Sequence, residues 1–280
     1  MYSVARAWTF LTLSSLTLVV LGHYYGGREG LLTALVIVLG VNSYVYFVED
    51  KRVLKRFLSR QLEGQDSYGV REIVRRVALQ ARIPPPQVIV LSTSAPQCGA
   101  IGHSEKSAKI ILTQGLLDKF SKREVEILIT YQILNIKNTY TLAFAAGSFI
   151  LYLSLSALGA IDSFIRLLIV EKKNIKTYIS QPFTRFFSPL IGFILKLSIR
   201  PNFYAQMDLL TSQFIGEAKE LAIVLNKLDS YSKTLPLAVP PDQAHIFIVT
   251  PLSSKNWLQS FVTHPKTKGR IEKLVGYYPL

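Results

Sequence analysis

Long apolar runs without charged residues limit what this chain can fold into more than any other feature of its sequence. Three of them, residues 7–22, 31–48 and 142–160, approach the roughly 20 residues that an α-helix needs to cross a bilayer. A fourth run, residues 186–195, is shorter and contains Pro189, which predicts a tilted, kinked or partly immersed helix. The chain is therefore predicted to be an integral membrane protein with about four transmembrane or membrane-immersed helices.

The first two runs are joined by the short glycine-rich stretch YYGGREG at 24–30, which predicts a helical hairpin. A signal peptide also carries an apolar run, but here the first run is long and a second follows closely. Five basic residues come directly after the second run: Lys51, Arg52, Lys55, Arg56 and Arg60. Because cytoplasmic loops are enriched in lysine and arginine, residue 49 onward is predicted to lie in the cytoplasm.

Charge and hydropathy favour the same class of protein. The chain is 49% apolar, has a positive mean hydropathy and carries a formal net charge of +14. Anionic headgroups favour surplus basic residues, so membrane lipids are predicted partners and the plasma (inner) membrane is the predicted location. Nucleic acid is not a predicted partner, because the sequence has no zinc-knuckle spacing, RNP-type aromatic motif or basic helix. Cys98 is the only cysteine, which excludes an intrachain disulfide.

The segment between the third and fourth runs, residues 162–185, is net basic. The charge rule would keep this segment in the cytoplasm, whereas two complete crossings would place it on the other side. The sequence therefore leaves the orientation of this pair of helices open.

The more polar parts of the chain alternate between helical and strand patterns. Residues 66–82 carry apolar side chains at helical spacing and are followed by three prolines, which end a helix. Strands are predicted at 87–93 and 108–113, and a glycine-containing strand or turn at 96–102. The predicted fold class is α+β and mainly helical.

Two further helices and one further strand are predicted from local patterns. Ser121 and Glu124 match a capping box, which predicts a helix start. A core-facing helical stripe is formed by Leu221, Val224, Leu225 and Leu228. His245 begins HIFIV, which has the composition of a strand.

Four landmarks occur in order along these parts. They are PQCGAIG at 96–102, ILTQGLLDKFSKREVEILITYQILNIKN at 111–138, PNFYAQ at 201–206 and FVTHPKTKGRI at 261–271. Together with the apolar hairpins they resemble integral-membrane zinc metallopeptidases of the HtpX and CAAX-prenyl-protease type, specifically the HtpX branch. The resemblance covers nearly the whole chain and implies a cytoplasmic zincin-like (metalloprotease-like) domain that is interrupted by a membrane hairpin.

The same resemblance divides the chain into four parts. They are an N-terminal transmembrane hairpin (1–50), the first part of the protease-like domain (51–138), a second transmembrane or membrane-immersed hairpin (139–198) and the second part of the protease-like domain (199–280). Both parts of the domain are expected on the cytoplasmic side, because in the family they share one site.

The resemblance also assigns the catalytic positions. Members of the family carry His-Glu-x-x-His on a helix, where the histidines bind zinc and the glutamate is the general base, and a glutamate of a second motif is the third ligand. These positions fall here on Tyr131, Gln132, Asn135 and Asn202. The aspartate that ends the second motif falls on Gln206. In a shifted register Asp208 fills that place, and Tyr204 then takes the ligand position.

In either register the chain lacks the zinc ligands and the general base of the family. A phenol with a pKa of about 10 and neutral carboxamides are poor zinc ligands, because such ligands must offer deprotonated or basic donor atoms. Glutamine cannot take a proton from water, so general-base catalysis is lost as well. The four histidines, His23, His103, His245 and His264, show no pair at ligand spacing. Zinc is therefore predicted to be absent, and no catalytic or metal-binding residue is predicted.

The function predicted from these observations is that of a catalytically inactive HtpX-like membrane pseudoprotease. It would act as a binding, scaffolding or regulatory subunit of a larger membrane assembly with other membrane proteins, and the resemblance points to membrane-protein quality control. The candidate peptide-binding edge strand that the resemblance implies consists of Gln97, Cys98, Gly99, Ala100 and Ile101. Gly99 stands where an aromatic residue is usual in the family.

Two alternatives remain open at this point. One is an active membrane hydrolase with a non-standard catalytic or metal site, for which Ser92, Thr93 and Ser94 are candidates without an adjacent His-Asp signature. The other is an architectural membrane protein whose cleft has no ligand. Cross-linking of a polypeptide at the edge strand would support a binding role and exclude the architectural protein without a ligand.

Overall fold

The computed structural model describes residues 2–47, 52, 54–55, 59–61, 66, 68–169, 181–199, 202–252 and 257–276. Within these ranges the protein is mainly helical and has one small mixed sheet, so the predicted α+β class is confirmed. Residues 170–180 of the basic segment and several of the basic residues after the second apolar run lie outside the described ranges.

The elements follow one another along most of the chain. The helices are α1 (Tyr2–Phe47), α2 (Val70–Ala81), α3 (Gln114–Lys119), α4 (Lys122–Lys137), α5 (Tyr140–Ile169), α6 (Pro182–Ser198), α7 (Asn202–Ile215), α8 (Ala218–Thr234) and α9 (Thr267–Val275). The strands are β1 (Ser59–Gln61), β2 (Gln87–Leu91), β3 (Cys98–Ile101) and β4 (Lys109–Thr113). Two short 3₁₀ helices lie at Pro241–Ile246 and Trp257–Phe261.

Helix α1 turns back on itself at Gly27, whose φ of 54° and ψ of −136° are not helical. A positive φ costs glycine little because it has no Cβ. The two arms approach closely, since a Cβ on Gly30 would lie 2.1 Å from the carbonyl oxygen of Gly22. Further from the bend, the Asn42 amide donates a hydrogen bond of 3.2 Å to the Ser15 hydroxyl. A straight helix rises about 1.5 Å per residue and could not bring these residues together.

The sheet has the strand order β1-β2-β4-β3, with β2 and β4 parallel and the outer pairs antiparallel. Successive side chains of a strand point to opposite faces. One face packs into the main apolar cluster with α2, α4 and α8, and contributes Val88, Val90, Cys98, Ala100, Ile110 and Leu112. The other face contributes Ile89, Leu91, Ile101 and Ile111 to a second cluster that includes residues of α5 and α6. Strand β3 therefore lies at one edge of a sheet that is covered on both faces.

The helices of the main cluster form where the local patterns predict them. Helix α2 buries one face and ends at Ala81, before the prolines. Helix α4 begins with the predicted capping box, in which Ser121 and Glu124 each bond the other's backbone. The stripe on α8 is buried, with Leu221 and Leu228 fully enclosed. Burial of such stripes stabilises the fold by about 25 cal/mol per Å² of apolar surface.

Helices α5 and α6 carry the third and fourth apolar runs. Among the described residues, Tyr140–Ile165 is by itself long and apolar enough to cross a membrane. Pro182–Leu197 and Asn202–Ile215, bent by 40°, meet the same criterion only as a pair. Of the about four membrane helices that the sequence predicts, the described residues thus support one, or two if the bent pair forms a single span, so the number four is not confirmed.

A buried carboxylate joins α5 to the start of α6. Asp162 accepts hydrogen bonds from the N–H groups of Phe183 and Thr184, at 2.9 and 3.0 Å, and from the Thr184 hydroxyl at 2.7 Å. The first N–H groups of a helix have no partner within it and carry partial positive charge. Asp162 therefore caps α6 and holds it beside α5.

The strand predicted from His245 does not form. Residues Pro241–Ile246 are a 3₁₀ helix, and only Phe247 makes a single bridge to the sheet. Pro241 fixes φ at the start of this 3₁₀ helix, and the helix takes up His245 and Ile246, the first two residues of the predicted strand. The segment nevertheless lies against β3, and this contact matters for the site.

Candidate functional site

Helix α4 carries three of the assigned positions into the interior between the sheet and α7. Tyr131, Gln132 and Asn135 are all buried. Residues 131 and 135 are one helical turn apart, so their side chains lie on the same face of the helix. The apolar residues around them anchor α4 in the main cluster, which explains why this face points inward.

The two carboxamides of α4 form a chain of hydrogen bonds that ends on β3. Gln132 Nε2 donates to the carbonyl oxygen of Cys98 at 3.2 Å, and Asn135 Nδ2 donates to Gln132 Oε1 at 3.0 Å. The Asn135 Oδ1 atom is buried without a hydrogen-bond partner. A buried unpaired acceptor costs about 1–3 kcal/mol, so this arrangement is not optimised for stability alone.

The second motif lies on α7, and the structure distinguishes between its two registers. Asn202 is exposed at the first residue of α7, and Gln206 is also exposed. Tyr204 is buried, and its hydroxyl lies 3.2 Å from Thr263 Oγ1 and 3.3 Å from the His245 carbonyl oxygen. The structure thus places Tyr204 rather than Asn202 beside the residues of α4. Asp208 is buried as well, so the burial pattern favours the shifted register over the one that uses Asn202 and Gln206.

An arginine from α9 connects the two motifs. Arg270 binds Asp208 through Nε and Nη2, at 2.9 and 2.7 Å, and both side chains are buried. Its Nη2 also lies 3.4 Å from the Tyr131 hydroxyl, and its guanidinium carbon is 5.5 Å from the centre of the Tyr204 ring. Arg270 therefore contacts side chains from both motifs at once.

Two histidines lie next to this cluster, and the Nε2 atom of each ring bonds a backbone carbonyl group. His264 Nε2 is 2.8 Å from the carbonyl oxygen of Phe247, and its ring packs on Tyr204 with centroids 4.4 Å apart. His245 Nε2 is 2.8 Å from the carbonyl oxygen of Phe144. A carbonyl can only accept, so Nε2 carries the proton in both rings.

The protonation of these groups follows from their burial. Burial raises the pKa of Tyr131 well above its ordinary value, and it also raises the pKa of Tyr204. Burial lowers the pKa of His245 to about 4 and that of His264 to about 3. Near neutral pH both phenols are therefore protonated and both imidazoles are neutral.

These donors do not fit a zinc ion. Zinc sites use thiolate, imidazole or carboxylate ligands, usually four in tetrahedral arrangement. Here the cluster offers two protonated phenols and two neutral carboxamides, and its carboxylate, Asp208, is bound to Arg270. Within the described residues no group of three or more His, Cys, Asp or Glu side chains could hold a metal ion.

The predicted edge strand lies at the edge of the sheet, but its outer side is covered. Gln97 and all residues of β3 are buried. The Ile248 N–H donates to the Cys98 carbonyl oxygen at 3.1 Å, and Gly99 makes an antiparallel bridge with Phe247. Burial also raises the pKa of the Cys98 thiol, which keeps it protonated.

The residues of the alternative hydrolase site stabilise a local turn. The Thr93 hydroxyl accepts from the Ala95 N–H at 3.4 Å, and the Ser94 carbonyl accepts from Lys119 Nζ at 3.4 Å. A Cβ on Gly115 would lie 2.0 Å from the Ser94 carbonyl oxygen, so this turn packs tightly against α3. These contacts are those of a connection between β2 and β3.

The class of protein to which the chain belongs is shown by its match to a family of peptidases. A family model described as Peptidase family M48 matches residues 65–277, which include both motifs and Arg270, and the chain belongs to this family. Within it, the chain is similar to curated proteins named Protease HtpX homolog. That of Desulforapulum autotrophicum is 27% identical over 274 residues, covering 96% of this chain and 88% of the relative. Those of Campylobacter curvus and Pyrococcus furiosus are each 29% identical over 267 residues, covering 92% of this chain and 92% and 90% of the relatives.

Proposed function

We propose that this chain is a catalytically inactive, HtpX-like member of peptidase family M48 that binds no catalytic zinc. The observation that carries the proposal is the cluster at the assigned positions. Tyr131, Gln132, Asn135 and Tyr204 supply neither the ligands of a zinc site nor a general base. The carboxylate of this cluster, Asp208, is occupied by its ion pair with Arg270 and is not free to replace a missing ligand.

We further propose that the protein is a multi-pass membrane protein with its protease-like domain in the cytoplasm. Apart from the apolar Tyr140–Ile165 helix, an exposed stripe on α6 supports this proposal. Phe186, Leu190 and Phe193 lie on one face of α6 and are mostly exposed. Contact of these apolar side chains with lipid tails costs no free energy, whereas their exposure to water is unfavourable.

In this proposal the protein acts as a binding, scaffolding or regulatory subunit of a membrane protein complex, with a role in membrane-protein quality control. The fold accommodates the substituted side chains, because Tyr131 accepts from Arg270 and the Gln132 amide and Tyr204 hydroxyl bond the carbonyl groups of Cys98 and His245. A protein that keeps the fold of a peptidase but has no catalytic activity is expected to function by binding other proteins. Identification of proteins that co-purify in mild detergent addresses this part directly.

The loss of catalysis is tested by metal analysis and a cleavage assay on the full chain in mild detergent. The Protease HtpX homolog of Pyrococcus furiosus, prepared in the same way with added zinc, is the matched control. We expect this chain to contain far less than one equivalent of zinc and to leave β-casein intact. One equivalent of tightly held zinc together with cleavage that a chelator abolishes would contradict the proposal.

A further inference from the structure

The outer edge of β3 is paired with a segment of the same chain. Residues 246–248, which we call the cover segment, are all buried. The cover segment makes a single antiparallel bridge, between Phe247 and Gly99, and one backbone hydrogen bond from Ile248 to Cys98. An extended peptide that adds to a sheet uses the same backbone groups. The cover segment thus takes the place that such a peptide would need.

Side chains from the altered catalytic cluster hold the cover segment in place. Arg270 Nη1 donates to the Ile248 carbonyl at 2.8 Å, and His264 Nε2 donates to the Phe247 carbonyl at 2.8 Å. The Tyr204 hydroxyl lies 3.3 Å from the carbonyl of His245, just before the segment. These three contacts hold the carbonyl groups of residues 245, 247 and 248. Arg270 and Tyr204 belong to the cluster described above, and His264 packs on Tyr204.

Gly99 makes room for the cover segment. A Cβ at residue 99 would lie 3.0 Å from the Ile246 carbonyl oxygen and 3.1 Å from Cδ1 of Phe247. The Phe247 ring therefore lies where a side chain of residue 99 would begin. A side chain at residue 99 would therefore crowd the Phe247 ring and require it to shift.

Few backbone hydrogen bonds hold the cover segment to β3. Four residue pairs join β3 to β4, whereas the cover segment contributes one bridge. A single hydrogen bond contributes about 0.5–1.5 kcal/mol net, so side-chain packing of Phe247 and the bond from Arg270 supply much of the closure. A contact of this kind can open without unfolding the sheet.

We propose that the cover segment closes the β3 edge to polypeptides, and that its displacement exposes a binding site for an extended, unfolded chain. Gly99 and Phe247 are the complementary pair that sets the closed state. The inference goes beyond the proposed loss of catalysis, because it concerns binding and holds whether or not the protein cleaves peptides.

The test measures binding of fluorescein-labelled β-casein, an unfolded polypeptide, to the full chain in mild detergent by fluorescence anisotropy. Phe247→Ala removes the ring from the cover segment, and Gly99→Ala crowds it from the side of the strand. Phe261→Ala is the matched control, since Phe261 is equally buried in the same apolar cluster but makes no bridge to β3. We expect the first two variants to bind at least about tenfold more tightly than the wild type and the control.

Hydrogen exchange localises the effect. In the Phe247→Ala variant, residues 245–249 should exchange faster than in the wild type, and added casein should slow exchange at 97–101. Gels of the same samples reveal any cleavage, so an error in the proposed loss of catalysis is detected separately. The inference is overturned if the wild type binds as tightly as the variants, if Phe261→Ala gains as much, or if neither variant gains affinity.

Discussion

Arg270 and Asp208 form a buried ion pair through two parallel contacts of 2.9 and 2.7 Å, and the same guanidinium reaches the Tyr131 hydroxyl and the Ile248 carbonyl. Burial alone would lower the pKa of Arg270, but the Asp208 carboxylate more than offsets this and raises it. One side chain therefore links α9, α7, α4 and the cover segment. In this chain it organises the region where the family resemblance places a metal.

Removal of one partner of this pair should be strongly destabilising. Arg270→Leu leaves Asp208 charged and buried without a partner, and the expected loss in the free energy of unfolding is about 3–5 kcal/mol. Urea unfolding in mild detergent, followed by tryptophan fluorescence, measures it. The Asp208→Leu/Arg270→Leu double variant should lose less than Arg270→Leu, because no unpaired charge remains. Equal losses would show that charge burial is not the cause.

Stability should fall as the pH is lowered from 6.5 towards 5. The pKa of His245 is lowered by burial to about 4 and that of His264 to about 3, against an ordinary value of 6.5. Between these values the unfolded chain binds more protons than the folded one, so acid favours unfolding by up to about 1.4 kcal/mol per pH unit for each histidine. Above about pH 7.5, where the histidines of the unfolded chain are also almost entirely neutral, this contribution is constant.

The charges around these histidines do not reverse the sign. His245 faces Asp242, which favours its protonation, and Arg52, which opposes it, while His264 faces Arg270 and His245, which both oppose it. His264→Gln keeps an N–H donor for the Phe247 carbonyl but cannot titrate. Its free energy of unfolding should therefore depend less steeply on pH between 6.5 and 5. An unchanged slope would exclude His264 as a source.

The helices and strands near local signals could be predicted from the sequence. The prolines after α2, the capping box of α4 and the stripe of α8 are all short-range features, and each element begins or ends within a few residues of its prediction. The strand at HIFIV was wrong because composition does not say whether a partner strand is available.

The candidate site could be predicted only in part. The positions on α4 follow from one continuous motif, whereas the second motif left two registers, and only the fold shows Tyr204 buried and Asn202 exposed. The bond between Arg270 and Asp208 spans 62 residues, and no local pattern indicates which arginine is buried. The landmark FVTHPKTKGRI contains Arg270 and was the one available signal.

A zinc site should be recoverable only in the register that the structure supports. The variant with Tyr131→His, Gln132→Glu, Asn135→His and Tyr204→Glu places two imidazoles and a carboxylate around one point. We expect it to bind close to one equivalent of zinc, measured by metal analysis after dialysis. The matched variant with Asn202→Glu in place of Tyr204→Glu should bind much less, because Asn202 is exposed at the start of α7. Equal binding by both variants would contradict this register.

The arms of α1 should separate when their closest approach is blocked. A Cβ on Gly30 would lie 2.1 Å from the Gly22 carbonyl oxygen, whereas a Cβ on Gly40 would meet nothing within 4 Å. In a Cys98→Ser background, cysteines placed at Ser15 and Asn42 should be joined by a short bismaleimide. Gly30→Val should reduce this cross-link strongly and Gly40→Val should not, and equal effects would exclude the close approach as the cause.

Both parts of the protease-like domain should lie on the cytoplasmic side of the membrane. Helices α4 and α8 belong to one packed body, since Lys227 Nζ on α8 lies 2.8 Å from the Glu124 carboxylate at the start of α4. The chain between them must therefore leave the membrane on the side where it entered. Single cysteines at Lys122 and Ser230, both exposed, should react with an impermeant maleimide only from the cytoplasmic side in a Cys98→Ser background.

A third cysteine at Lys173, in the basic segment between α5 and α6, shows whether α5 and α6 cross the bilayer completely or only dip into it. Asp162 on α5 caps α6 at Phe183 and Thr184, so the two helices meet at this end and the segment joins them there. Labelling of Lys173→Cys from the opposite side shows two complete crossings, against the preference of basic residues for the cytoplasm. Labelling from the cytoplasmic side shows a hairpin that only dips into the bilayer. Labelling of Lys122→Cys and Ser230→Cys from opposite sides would contradict the packed domain itself, because no membrane can pass between two helices that share an ion pair.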